Sequence, residues 1–532
     1  MRHGRAEGEE AMRMPTFIDR TGLGAGDQGA GERRVEGQRV EGQRVAGQRA
    51  SGQRASGWRA AGREGGGTGP HSRDGRALER VAFAAVFTAL AFAIPLGANR
   101  PVSWSALSIC LTALLAAAIL AAPAERRGAA AALWPAALLW LAALAWGLAQ
   151  SVPGAGAWAH PAWALLGGQG LGTVSADPAA GPPLAARLAA YAALFWIVAA
   201  AAAREAAAHV MLRMIAVFST ALAAYGILAA AGGVNPVLGL DGGRAVVSAT
   251  FVNRNSYATY AAFGALANVA AFIRCFGRAP QTGDLRDTIE RIYGGAWIYA
   301  LGALICAAAL AGSQSRAGAA AGLIGATAFA IAWRRRGGGV ALAAAPVVVA
   351  ALFAAATSAD GLMRRLLGAA TEDGRFIVYP RVLDAIADRP WLGHGLGAFE
   401  DVFRAYVPLE AAVGEWDKAH SSYLENVFEL GLPAAAAFYA ALALIAARIV
   451  GGVARRRRDR IYPCLALACL AAGGFHAVFD FSLQMPAAAA LFAALLGLGW
   501  AQSARERPQA RDHGASHPGA GSSRSTVSTP EW

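Results

Sequence analysis

Trp104–Ala122, WSALSICLTALLAAAILAA, runs for nineteen residues without a charged side chain. As a helix rising 1.5 Å per residue it would reach about 28 Å, close to the hydrocarbon thickness of a bilayer. The run is rich in Ala and Leu and shows no period-two alternation, so it reads as a helix and not as a barrel strand. Only those two structures can span lipid, because each backbone polar group must find its partner internally. Similar runs recur through a chain of 532 residues that is 56% hydrophobic and 16% charged. The expected fold is therefore an all-α polytopic membrane protein. About twelve transmembrane helices are read, near 81–98, 104–122, 128–149, 185–203, 208–231, 256–274, 295–312, 316–333, 339–357, 421–448, 461–478 and 487–502.

The net charge of +13 belongs to this topology and not to a nucleic-acid surface. Arg126-Arg127, Arg334-Arg335-Arg336 and Arg455-Arg456-Arg457-Arg458 cluster at the ends of apolar runs, the positive-inside pattern. If Arg76 and Arg80 hold the N-terminal side inside, the loops at Arg126, Arg204, Arg274, Arg334 and Arg455 all fall inside. Both termini are then cytoplasmic, and the loops 150–184, 232–255 and 358–420 lie outside, the last as one large loop. The five cysteines sit in or beside apolar runs, which implies small core residues and no disulfide framework.

Residues 1–78 differ from the rest. Val35–Arg59 repeats a pentad, VEGQR VEGQR VAGQR ASGQR ASGWR, too polar to bury a core. This basic Gly/Arg-rich segment is expected to be disordered, as is the tail 503–532. It lacks the pattern of a signal peptide. The membrane domain is expected over 79–502.

The spans carry little charge and read as uninterrupted, so the ionisable groups at their outer ends attract attention. Phe251-Val252-Asn253-Arg254-Asn255 opens the sixth span. Asn and Ser there suit helix capping, but Arg254 would sit where the helix dipole disfavours a cation, which makes better sense if it helps hold a phosphate. Ser313-Gln314-Ser315-Arg316-Ala317-Gly318 is a tight hairpin whose one charge, Arg316, is either a snorkelling anchor or an anion-binding guanidinium. In the long loop, Arg375 and Arg381 could face one cavity, or pair with Glu372 or Asp384. Residues 377–387 have helical spacing despite Pro380 and suit an interfacial helix. The glycines at 393, 395 and 397 mark a turn of demanding geometry, and His394 reads as part of it. His420, where the loop re-enters the membrane beside the N-cap candidates Ser421 and Ser422, is the leading general base, with Tyr423 and Glu425 close enough in sequence to orient it. His476 and Asp480, four residues apart, can stabilise a helix end. Nothing resembles a zinc motif, and no metal or other cofactor is expected.

Four elements in this order resemble the O-antigen ligase/polymerase family of bacterial envelope glycosyltransferases. They are Phe-Val-Asn-Arg-Asn at 251–255, Ser-Arg-Ala-Gly at 315–318, Gly374-Arg375 with the downstream 389–399, and Ala-His-Ser-Ser-Tyr-Leu-Glu at 419–425. Ser421 stands where many members have Asn. The resemblance implies transfer of a glycan from undecaprenyl diphosphate to an acceptor sugar hydroxyl, at the periplasmic face of the bacterial inner membrane. Arg316 and Arg375, with Arg254 and Arg381 in support, would hold the diphosphate, and His420 would be the base. The reaction would be metal-independent and inverting, with lipid A–core as acceptor for a ligase and another lipid-linked glycan for a polymerase; some relatives glycosylate pilins. A polytopic transporter of bicarbonate or another solute and a non-catalytic scaffold are the readings from other classes.

Overall fold

The computed structural model describes residues 70–123, 131–167, 172–233, 246–277, 295–334, 375–407, 416–456 and 460–504. Every regular element among them is helical. In chain order the α-helices are α1 (Pro70–Ala91), α2 (Pro101–Ala121), α3 (Trp134–Ala149), α4 (Gly181–Ala201), α5 (Glu205–Ala231) and α6 (Arg254–Gly277). Then follow α7 (Trp297–Gly312), α8 (Arg316–Arg334), α9 (Arg375–Asp388), α10 (Phe399–Phe403), α11 (Ser422–Arg455), α12 (Ile461–Phe479) and α13 (Pro486–Ala501).

Seven of these are long and apolar enough to cross a membrane: α2, α4, α5, α6, α8, α11 and α12. The apolar helices α3, α7 and α13 are shorter. Eleven of the twelve regions read as spans contain a helix; 339–357 lies outside the described residues, as do 1–69 and 505–532. α1 begins at Pro70, so regular structure reaches back into the stretch 70–78 expected to be part of the tail.

Composition decides which helices face lipid. α2 is mostly exposed along its apolar length, whereas α6 is almost wholly buried. α6 has the sequence RNSYATYAAFGALANVAAFIRCFG, whose small and hydroxylated residues allow close helix approach, as membrane interfaces favour. It packs against α5, α7, α8 and α12. Asn268 in its middle donates to Ala216 O (3.1 Å) and Gly264 O (2.9 Å), so this amide is satisfied within the protein. At one end of the bundle, Arg204 pairs with Glu79 at 2.8 Å, and Arg274 bonds Glu205 and the Nδ1 of His209. These contacts tie α1, α5 and α6 together, and the start of α6, with the candidate Arg254, lies at the other end.

One helix departs from expectation. α11 is not the single uninterrupted span its apolar run suggests, because Gly431 within it takes φ 76°, ψ 163° and breaks it. The cause lies in Gly431-Leu432-Pro433: proline has no N–H to give the Glu429 carbonyl, and only glycine tolerates that backbone. The orphaned groups are satisfied from elsewhere in the chain. Leu432 N donates to Pro390 O (2.8 Å), Gly395 N to Glu429 O (3.0 Å) and His394 N to Phe428 O (2.9 Å). Trp146 Nε1 donates to Leu430 O at 3.0 Å. The buried Gln150 gives its amide N–H groups to Leu392 O (2.7 Å) and Glu429 O (2.9 Å) and accepts from Leu396 N (3.0 Å). The glycine cluster 393–397 is therefore clamped onto the break of α11.

Candidate functional site

Two capped helices deliver the arginines. Asn253 Oδ1 accepts from Asn255 N (2.7 Å) and Ser256 N (3.4 Å), so it caps α6, which begins at Arg254. Ser315 Oγ accepts from Gly318 N (3.1 Å), capping α8, which begins at Arg316. Gly318 packs so closely on Ala258 that no Cβ would fit, which brings the starts of α6 and α8 together. The other end of α8 meets the start of α12, where Arg460 bonds Trp333 O. α8 and α12 are thus antiparallel, and Arg254, Arg316 and Asp480 share one end of the bundle. Asn253 and Ser315 are caps, and each arginine is the first residue of a capped helix.

His420 is at this same end, immediately before α11, with Ser421 as N-cap. Its Nδ1 lies 3.5 Å from Oδ1 of Asp480. Asp480 is fully buried and also accepts from Asn255 Nδ2 (2.6 Å, at Oδ2) and from Phe481 N (2.8 Å, at Oδ1). Burial alone would raise its carboxyl pKa, but the interactions with His420, His476 and the Phe481 N–H hold it below the usual carboxylate range. The carboxylate therefore stays ionised near neutral pH. The carboxylate thus faces the Nδ1 edge of the His420 ring, the arrangement in which a neutral imidazole would carry its N–H at Nδ1 and offer Nε2 as the acceptor. The ring sits between Trp416 and Phe481, at centroid distances of 5.8 and 5.0 Å, and 25% of the side chain is exposed, enough for a hydroxyl to reach it. A base backed by a buried carboxylate can accept a proton and be stabilised as imidazolium.

Other groups fall differently from the sequence reading. Tyr423 does not orient His420: its OH donates to Gly474 O at 3.0 Å. Glu425 does not bond the imidazole either; its carboxylate accepts from Lys418 Nζ (3.2 Å) and Ala419 N (2.9 Å). Asp480 reaches across to His420 and Asn255, while His476 Nδ1 meets Ser482 Oγ at 3.1 Å. The orienting carboxylate thus comes from beyond the end of α12, where no local pattern could pair it with His420. Arg381 is exposed and bound to Asp384 at 3.0 Å, the pairing alternative for this residue. Arg375 opens α9, a helix that accommodates Pro380 as anticipated; its side chain lies outside the described residues. One turn further along α9, Tyr379 OH donates to His420 O at 2.9 Å, a tie to the site that no motif announced. Among the described residues, no group of three or more His, Cys, Asp and Glu side chains is placed to hold a metal ion.

The long loop is anchored by a pair of histidines, His160 and His394. α9 and α10 build a small core with Val378, Val382, Phe399, Phe403 and Phe428, and His394 is buried against Phe428 at a centroid distance of 4.5 Å. Ala162 N donates to His160 Nδ1 (3.1 Å), His160 Nε2 meets His394 Nδ1 (2.9 Å), and His394 Nε2 meets Ala385 O (2.8 Å). This chain fixes both rings as neutral Nε2–H tautomers. Beside them Arg389 donates to Gly393 O, Ala159 O and Trp158 O, and Tyr406 donates to Asp388 at 2.6 Å. Burial, His394 and Arg389 lower the His160 pKa from 6.5 to about 4. A depressed histidine pKa means that the unfolded chain binds more protons in this window, so stability is lost as pH falls from 6.5 towards 4. The melting temperature in detergent should drop across that interval, and His160→Gln should flatten the drop; an identical pH dependence in the variant would contradict the assignment.

The family model described as O-antigen ligase matches residues 301–439, a stretch that includes Arg316, Arg375, the 389–399 loop and His420. No curated protein matches the chain.

Proposed function

From the O-antigen ligase domain of residues 301–439, we propose that this membrane protein is a glycosyltransferase that moves a glycan from undecaprenyl diphosphate onto an acceptor sugar hydroxyl. The observation that supports this most strongly is the convergence of three distant segments, 253–255, 420–422 and 480, on one buried carboxylate and one accessible histidine. The site end of the bundle would face the periplasm. Nε2 of His420 takes the proton of the acceptor hydroxyl as the oxygen attacks the anomeric carbon. The bond to the diphosphate breaks on the opposite face, which inverts the configuration and needs no covalent enzyme intermediate.

The leaving group gains negative charge as this bond breaks. Arg316 and Arg375, supported by Arg254, would stabilise it as guanidinium donors. A cation at a helix N-terminus is disfavoured by roughly 0.3–1 kcal/mol, and it occurs here at both α6 and α8. A bound diphosphate would reverse the sign of that cost at both places. Asp480→Asn removes the charge that stabilises the imidazolium, so transfer should fall by about a hundredfold with donor KM little changed; unchanged kcat would remove Asp480 from the mechanism.

Ligation to lipid A–core is the reading we favour, with polymerisation onto another lipid-linked glycan as its nearest alternative. The polysaccharide profile of a deletion strain separates them. A ligase predicts that long chains disappear from lipid A while polymer persists on the carrier, whereas a polymerase predicts a single capped repeat. Normal lipopolysaccharide in the deletion strain, with lost uptake of bicarbonate or another solute, would instead favour transport. The break in α11 is a feature that transporters also use, but here its freed backbone groups bond to the loop 390–396 and to Gln150 and Trp146.

A further inference from the structure

His420 has φ 51°, in the left-handed region that a side chain with a Cβ rarely occupies. Such a conformation persists only where its surroundings over-determine it. The surroundings here are specific. In an ordinary capping box the third helical residue reaches back to the N-cap N–H. In α11 the N-cap is Ser421, and the reach comes from Glu425, one position later. Its target is the Ala419 N–H (2.9 Å), two residues before the cap. The loop closed by this bond contains His420. The second carboxylate oxygen takes Lys418 Nζ at 3.2 Å. Ala419 and Glu425 are both buried, so water does not readily replace the bond between them. The carbonyl of His420 accepts from Tyr379 OH at 2.9 Å.

We propose that Glu425 is a positioning residue: its carboxylate, gripping the Ala419 N–H and the Lys418 ammonium, holds the left-handed turn that aims the His420 ring at Asp480. The inference rests on His420 being the base. A charged acceptor is required because the two donors approach different oxygens and one is a cation. The full reach of a glutamate is required because the carboxylate must bridge from the first turn of α11 back across the cap. Lys418 stays protonated despite its surroundings: burial lowers its pKa, and its acidic neighbours, Glu425 foremost, more than restore it.

The test uses the full-length protein in proteoliposomes, a synthetic polyprenyl-diphosphate glycan as donor and a defined glycan acceptor. Glu425→Gln keeps the reach and one acceptor oxygen, while Glu425→Asp keeps the charge and loses the reach. The expected kcat per folded molecule falls about fivefold in the first and about thirtyfold or more in the second, because small misplacements of a reacting group are costly. Donor KM should stay within about twofold of wild type in both, since neither variant touches the arginines. Equal kcat per folded molecule in wild type and both variants overturns the positioning role. So does a loss of activity that only tracks the folded fraction. If Glu425→Asp fails to accumulate, the isosteric Glu425→Gln decides alone. His420→Ala measured alongside separates the two claims. Full activity in that variant removes the base and this inference together, whereas its loss beside active Glu425 variants removes only the positioning role.

Discussion

Gly431→Ala should abolish accumulation of the folded protein. Gly431 adopts φ 76° and ψ 163° at the break in α11, a region essentially closed to residues with a Cβ and costing of order 1–3 kcal/mol when forced. A Cβ there would also lie 2.5 Å from the Trp391 carbonyl oxygen. Relieving that contact means moving the loop 390–397 off α11, which strips the Phe428 carbonyl and the Leu432 N–H of their partners, takes Gly395 N from the Glu429 carbonyl and undoes the bonds of Gln150 to Leu392 and Leu396. Each buried group left without a partner adds about 1–3 kcal/mol, and the total rivals the whole stability of an ordinary domain. Gly154→Ala is the control. It has φ 83° with open space around it, so it carries the backbone cost alone. Thermal unfolding in detergent should show a modest loss for Gly154→Ala and little or no folded Gly431→Ala. Comparable melting temperatures would contradict the clamp.

His420→Ala should leave a folded protein with almost no transfer. General acid–base catalysis by one positioned group is worth about a hundredfold to ten-thousandfold, and the imidazole here is the group that Asp480 is placed to support. The 3.5 Å separation from Asp480 is long for a hydrogen bond, as catalytic contacts often are before substrate arrives. The ring is partly exposed and borders Trp416 and Phe481, so truncation removes little buried apolar surface and should cost little stability. Donor KM should hold, because the diphosphate is held by other residues. A large rise in KM with kcat intact would move His420 from proton transfer to substrate binding.

The sequence shows the helices more readily than the site. Trp104–Ala122 and its counterparts announce themselves because length and apolarity are local properties. The break at Gly431 is less visible, since Gly-Leu-Pro in an apolar run looks like an ordinary tolerated interruption. What makes it a break is Gln150, Trp146 and the 390–396 backbone, all far away in the chain. The placing of His394 in the turn follows from its glycine neighbours, but its partner His160 cannot be read, because the bond between them joins residues 234 apart. Asp480 is visible as a neighbour of His476 near the end of one helix. Its role beside His420 and Asn255 depends on how α6, α11 and α12 pack, and no single-segment pattern encodes that. Glu425 does support the His420 segment, but through other atoms than its position suggests, since proximity in sequence does not say whether a carboxylate meets a ring or a backbone N–H.

The most direct test of the central claim is transfer by purified protein in proteoliposomes, using a synthetic polyprenyl-diphosphate glycan and a sugar acceptor, with wild type and His420→Ala compared at equal folded amount. The account predicts glycan on the acceptor and stoichiometric release of polyprenyl diphosphate by wild type, with at least about a hundredfold loss in the variant. Equal transfer by the two proteins would contradict it.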